Sequence, residues 1–142
     1  IKQNFSAVVT LDADKQHNPE FIPEFISQLN RFDLVIGNRL NNTKEMPIQR
    51  ILSNKLTSSL LSVKTGQKIL DSQCGYRAYN TEVLTRLRSF ALGYEAESEM
   101  IIYAARAGFK IGFINISTIY GNEISKMNPV NAILGFIKIL FK

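Results

Sequence analysis

Residues 8–20, VVTLDADKQHNPE, bring two acids to the end of an apolar run, Asp12 and Asp14, spaced i, i+2. If the backbone stays extended there, this spacing turns both carboxylates to one side. Acids this close resist joint ionisation unless a cation compensates them, and hard divalent ions such as Mg²⁺ or Mn²⁺ take carboxylate oxygens readily. A metal held there could clamp a diphosphate. The competing reading is a strand that simply ends in a turn, a common use of Asp, and a lone D-x-D is frequent by chance. A second stretch, 68–80 (KILDSQCGYRAYN), collects Asp71, Cys74, Gly75 and Arg77 between apolar segments. Gly75 marks a bulge or a close approach of backbone. Asp71 reads equally as a general base or as a strand-end acid paired with Arg77. His17 reads as a local turn residue rather than a ligand, and Cys74 as a small hydrophobe.

The elements that must position these groups follow from apolar periodicity. Residues 5–11 form a short β-branched run, expected to be a central strand buried on both faces of a mainly parallel sheet. Asn18 and Pro19 then signal a helix start, so Asp12 and Asp14 fall at a strand's carboxyl end, where open α/β sheets place ligands. Ile22, Phe25, Ile26 and Leu29 predict a helix packed on the sheet. Residues 33–37, DLVIG, read as a second buried strand, which brings Arg39 toward the same crevice. Pro47 opens a longer helix to about Lys64, with Ile48, Ile51, Leu52, Leu56, Leu60 and Val63 as its apolar stripe and Asn54 on the other side. Asn80 is a candidate N-cap for a short helix. Residues 95–107 predict another helix closed by Gly108, with Glu95 and Glu99 on one face. Residues 110–120 read as a strand with a bend at Asn115.

The chain of 142 residues, 45% hydrophobic and 20% charged, suits one soluble domain with a real core. A net charge of +5 favours anionic partners. No basic patch interleaved with stacking aromatics is present, so nucleic acid is not an expected partner. The single Cys74 rules out an internal disulfide framework and suits a reducing compartment. Residues 127–142 form the clearest periodic segment. Val130, Ile133, Leu134, Ile137, Leu140 and Phe141 make one stripe, and Lys138 and Lys142 lie on the other. At 1.5 Å per residue the helix would reach about 24 Å, short of the roughly 30 Å hydrocarbon core, which suits an interfacial helix better than a spanning one. A core-packing terminal helix is the alternative. Residues 1–126 are expected to form one portion of the chain and residues 127–142 a separate helix. The protein is expected to sit peripherally at the cytoplasmic face of a membrane.

Taken in order, VVTLDADKQHNPE, DLVIGNR, MPIQR with Asn54 after it, DSQCGYRAY, GYEAESEM and GFKIGFINISTIYGNEISK resemble glycosyltransferase family 2, in its dolichyl-phosphate mannosyltransferase and polyprenyl-phosphate glycosyltransferase branch. The resemblance implies an α/β GT-A fold, a Rossmann-like sheet flanked by helices, with a nucleotide-sugar donor and a divalent metal, Mg²⁺ or Mn²⁺. It implies that Asp12 contacts the donor ribose or the metal shell, that Asp14 is the main metal ligand, and that Gln16 joins that shell. It further implies that Arg39 faces donor or acceptor phosphate, that Asp71 and Arg77 belong to the acceptor side, and that Ser125 and Lys126 bind phosphate. Family members open with a strand, a helix and an acidic base-binding loop, and nothing here corresponds to them. This nucleotide-binding half is therefore expected to precede Ile1 in a longer protein. The stretch alone is expected to be inactive, with an exposed sheet edge that favours homo-oligomers.

The expected reaction is inverting transfer of a sugar to a polyprenyl phosphate. A lipid monophosphate, with a second pKa of about 6, needs positioning and charge screening more than a strong base. Arg39, Arg77 and Lys126 would supply that. If the acceptor is a saccharide hydroxyl instead, a carboxylate base is required and Asp71 is the candidate. Two other classes compete. A haloacid-dehalogenase-like phosphatase also places D-x-D after a strand, but neither Thr nor Val stands at Gln16 and no later acidic pair follows. A non-catalytic membrane-associated module is the third.

Overall fold

The structure, a computed structural model, describes residues 5–13, 16–86, 96–117 and 136–137. Strand β1 (Ala7–Thr10) leads through a 3-10 turn (Pro19–Phe21) into helix α1 (Ile22–Gln28), followed by β2 (Leu34–Asn38) and the long helix α2 (Ile48–Thr65). Then come β3 (Arg77–Asn80), α3 (Thr81–Arg86), α4 (Ala96–Arg106) and β4 (Ile111–Asn115). The strands form one sheet in the order β1-β3-β2-β4.

Strand β3 pairs antiparallel with both β1 and β2, and β2 pairs parallel with β4. The sheet is therefore mixed, which corrects the expectation of a mainly parallel one. Among the described residues β1 pairs only with β3, and Ala7, Val8 and Val9 are half-buried while Thr10 is exposed. Strand β3, with Arg77, Ala78 and Tyr79 all buried, lies between β1 and β2, and β2 is buried along its whole length. Strands β1, β2 and β4 nonetheless run the same way. Their carboxyl ends and the amino end of β3 consequently share one end of the sheet, with Thr10 opposite Arg77 in the register.

The helix signals have a local basis. Asn18 caps as expected, its Oδ1 accepting from the Glu20 N–H at 3.0 Å. Helix α1 lies across all four strands. Its Phe25 is fully buried and stacks on Tyr76, with ring centroids 4.3 Å apart. Helix α4 packs against both β4 and α2. At the end of α2, Gly66 takes a left-handed φ of 68° and its N–H returns to the Ser62 carbonyl, a C-cap that only glycine adopts without strain.

Helix α2 reverses the expected orientation. Five of the six stripe residues, Ile48, Leu52, Leu56, Leu60 and Val63, are exposed, Val63 at 85%. The buried residues are Asn54, Ser58 and Leu61. Periodicity identifies the stripe correctly but cannot say which side the protein covers. Here the polar side is matched by loop 67–76. The Ile69 N–H donates to Ser62 Oγ at 2.9 Å, and the Ser72 N–H to Ser58 Oγ at 3.0 Å. Among the described residues no helix is long and apolar enough to cross a membrane. Of the expected helix 127–142, only Phe136 and Ile137 are described. Both are helical, with Phe136 packed against the core.

Candidate active site

At the shared end of the sheet a cavity of about 240 Å³ opens, lined by Thr10, Asp12, Gly75, Arg77, Glu97 and Met100 among others. Strand β1 delivers Asp12 just past its last paired residue, with the side chain 56% exposed. The Asp12 N–H donates to His17 Nδ1 at 3.3 Å. That bond occupies the lone pair a metal would need, so His17, buried with its ring against Tyr76, braces the turn as expected. Asp14, Ser125 and Lys126 lie outside the described residues. Gln16 is half-buried two residues beyond Asp14. No group of three His, Cys, Asp or Glu that could hold a metal occurs among the described residues. Among the described residues, the carboxylates that line the cavity are those of Asp12 and Glu97.

Asp71 is placed away from this cavity, in the interior. It is fully buried, and its partner is Arg39 rather than Arg77. Arg39 Nε and Nη2 donate to Oδ2 and Oδ1 at 2.9 and 3.0 Å, and the Arg39 N–H adds a bond at 3.1 Å. Asn54 Nδ2 donates at 2.6 Å and the Gln73 N–H at 3.2 Å. Burial opposes ionisation, yet the Arg39 pair and the Asn54 amide outweigh it and hold the carboxyl below the usual range. A carboxylate with five donors around it and no opening to the cavity is a poor general base. What the arrangement does is fix Arg39, whose side chain is 17% exposed, at the carboxyl end of β2.

Arg77 reaches the cavity, but its guanidinium is spent on backbone. Nε donates to the Cys74 carbonyl at 2.7 Å, Nη2 to Ser72 at 3.0 Å and Nη1 to Glu97 at 3.0 Å. Arg77 thereby ties loop 72–74 to the first turn of α4, where the sequence suggested an acceptor contact. Glu97 escaped the sequence reading. It stands in the first turn of α4, 3.8 Å from Arg77 Nη2, and lines the cavity. Burial raises its pKa, Arg77 partly offsets this, and the negative charge of Asp12 adds to the rise. Its signal in the sequence is an acid in a helix's first turn, where the helix dipole favours it.

Cys74 is fully buried, and burial pushes its thiol up to about 12. The folded protein at pH 8 is accordingly expected to resist a maleimide for hours and to label completely in denaturant. Rapid labelling of the native state would show that loop 71–76 opens.

No protein-family model matches the chain. It is 35% identical over 141 residues to the UDP-N-acetylglucosamine–dolichyl-phosphate N-acetylglucosaminyltransferase of Methanococcus voltae, covering 94% of this chain and 55% of that protein. It is 28% identical over 141 residues to the undecaprenyl-phosphate mannosyltransferase of Micrococcus luteus, covering 95% and 58%. Among solved structures, glucosyl-3-phosphoglycerate synthase from Mycobacterium tuberculosis with phosphoglyceric acid superposes at a TM-score of 0.70 and 21% identity, over 98% of this chain and 51% of that one. The same synthase with Mn²⁺, UDP and glucosyl-3-phosphoglycerate superposes at 0.68 and 20%, over 98% and 51%. The chain thus spans little more than half the length of the proteins it matches. The shared fold leaves the phosphatase alternative without support. With sequence likeness along nearly its whole length to sugar transferases that use polyprenyl-phosphate acceptors, and the GT-A fold of the synthase in common, the chain resembles the family 2 glycosyltransferases.

Proposed function

We propose that the intact protein transfers a sugar from a nucleotide-sugar donor to a polyprenyl phosphate at a membrane surface, with inversion and with Mg²⁺ or Mn²⁺. The names of the sequence relatives support the donor and acceptor classes, and the Mn²⁺ and UDP of the synthase structure support the metal and the diphosphate. The observation on this chain that carries the lipid acceptor is the outer face of α2. Ile48, Leu52, Leu56, Leu60 and Val63 stand exposed, and helix Ile48–Thr65 contains Arg50, Lys55 and Lys64 but no acid. An apolar stripe with basic neighbours fits the headgroup region of an anionic bilayer. Residues 127–142, with Lys138 and Lys142, are proposed to add a second such surface to the catalytic portion 1–126.

In this reading Asp12, Asp14 and Gln16 hold the metal, which offsets charge on the departing diphosphate when bound. Asp12 binds and orients the donor. Arg39, locked by Asp71, presents a fixed cation to phosphate, and Lys126 and Ser125 add to it. Arg77 contributes its charge through space while holding the loop and α4 in register. The ionised acceptor phosphate attacks without a strong base. One observation favours a second reading. Glu97, in the cavity with a raised pKa, could take the proton of a saccharide hydroxyl.

The test pairs an assay with a surface variant. Leu52→Glu/Leu56→Glu in the intact protein is expected to keep its helical circular dichroism and lose at least tenfold in co-sedimentation with anionic vesicles, since each leucine carries about 2 kcal/mol of burial. Transfer to vesicle-borne polyprenyl phosphate should fall in parallel, and transfer to a short water-soluble analogue should not. Unchanged vesicle binding would return the stripe to a protein partner, and transfer to a saccharide but not to a polyprenyl phosphate would favour the second reading.

A further inference from the structure

Gly75 stands against the Asp12 carboxylate. A Cβ built on Gly75 would meet Asp12 Oδ2 at 2.7 Å, Oδ1 at 2.8 Å and Cγ at 3.0 Å, closer than real Cβ atoms come. Its backbone is not in the left-handed region, where among the described glycines only Gly66 and Gly108 lie. Conformational freedom therefore does not explain the glycine, because alanine could adopt the same backbone. What it provides is space, and the space is filled by the two oxygens of Asp12.

The neighbouring chain cannot retreat to make room for a larger residue. Loop 71–76 is fastened on both sides of Gly75: the Cys74 carbonyl accepts from Arg77 Nε at 2.7 Å, and the Tyr76 carbonyl accepts from the Gly37 N–H at 2.9 Å. The Gly75 carbonyl itself accepts from Thr10 Oγ1 at 3.2 Å, which ties the loop to β1. Asp12, by contrast, ends in a half-exposed carboxylate on a rotatable side chain. Of the two, Asp12 is the one that gives way.

We propose that Gly75 is a positioning residue for the ligand site: its bare backbone seats the Asp12 carboxylate, so that loop 71–76 sets the direction in which Asp12 presents its oxygens. This rests on the reading that Asp12 serves the metal and donor diphosphate. Any side chain at residue 75 turns the carboxylate out of the cavity while leaving the fold standing. Few substitutions separate site from stability so cleanly, because the clash falls on a mobile group rather than on the core.

The experiment compares wild type, Asp12→Asn, Gly75→Ala and the double variant in the intact protein. Mn²⁺ binding, alone and with UDP, is read from the paramagnetic resonance of the free ion, and thermal unfolding is followed alongside. Gly75→Ala is expected to weaken Mn²⁺ binding at least tenfold with a melting temperature near that of wild type. Added to Asp12→Asn, it should weaken binding no further, since it acts through the same carboxylate. If Asp12→Asn itself leaves Mn²⁺ binding unchanged, the reading of Asp12 fails. If Asp12→Asn weakens binding and Gly75→Ala does not, the seat is overturned and the reading of Asp12 stands. Should Gly75→Ala prove unstable, Asp12→Ala removes the clashing group. Restored stability in that background supports the seat, and equal instability in both backgrounds would make Gly75 a requirement of the loop alone.

Discussion

Asp71→Asn in the intact protein is expected to cost about 3 kcal/mol of folding stability, the low end for removing one partner of a buried ion pair. That corresponds to a fall in melting temperature of roughly 6–12 °C. The cost arises because Arg39 donates three bonds to a carboxylate that is fully buried. An amide would turn donors toward donors, both at Arg39 and at the Asn54 amide 2.6 Å away. Transfer should fall as well, because Arg39 loses its anchor, and donor KM is the parameter expected to rise. The pH dependence carries a definite sign. Asp71 titrates below its ordinary 3.8, so its contribution is fully present above that value and is lost as the pH drops toward the lower folded value. Wild type and variant should therefore differ by a constant amount from pH 5 to 8 and converge below 3.8. A melting temperature within 2 °C of wild type, by calorimetry at pH 7, would show that the pair carries no net stability.

Asp12→Asn is expected to do the opposite, leaving stability nearly unchanged and lowering metal-dependent sugar transfer by at least 10²-fold, the scale for losing one preorganised electrostatic contact. The side chain is exposed enough that its removal strips no core contact. Asp14→Ala should be at least as severe if both acids serve one cation. Steady-state transfer across a Mn²⁺ titration decides the point. Activity within threefold of wild type at saturating metal would remove Asp12 from the chemistry.

Asn18 and the glycine at the end of α4 were readable because capping is local, a bond between residues two to five apart. The direction of β3 was not, since a short apolar run carries no mark of parallel or antiparallel pairing. The same limit governs Asp71. Arg39 and Arg77 were equally eligible partners by residue type, and only the fold could bring the one 32 positions away into contact while turning the nearer one onto carbonyls. Glu97 shows a further limit, because an acid's reach into a cavity depends on what packs behind its helix. Helix α2 is the clearest case. Its inner polar face makes sense only beside Ser72 and Asp71, 14 and 17 positions away from Ser58 and Asn54.

That division of labour within α2 has a practical corollary. The helix is held from inside by Asn54, Ser58 and Leu61, so its outer positions form a register that can be recoded independently. Polar replacements at Ile48, Leu52, Leu56, Leu60 and Val63 would touch none of the buried residues. If the stripe is the membrane-facing surface proposed above, they offer a route to a form of the protein that leaves the vesicle surface while keeping the inner contacts of α2.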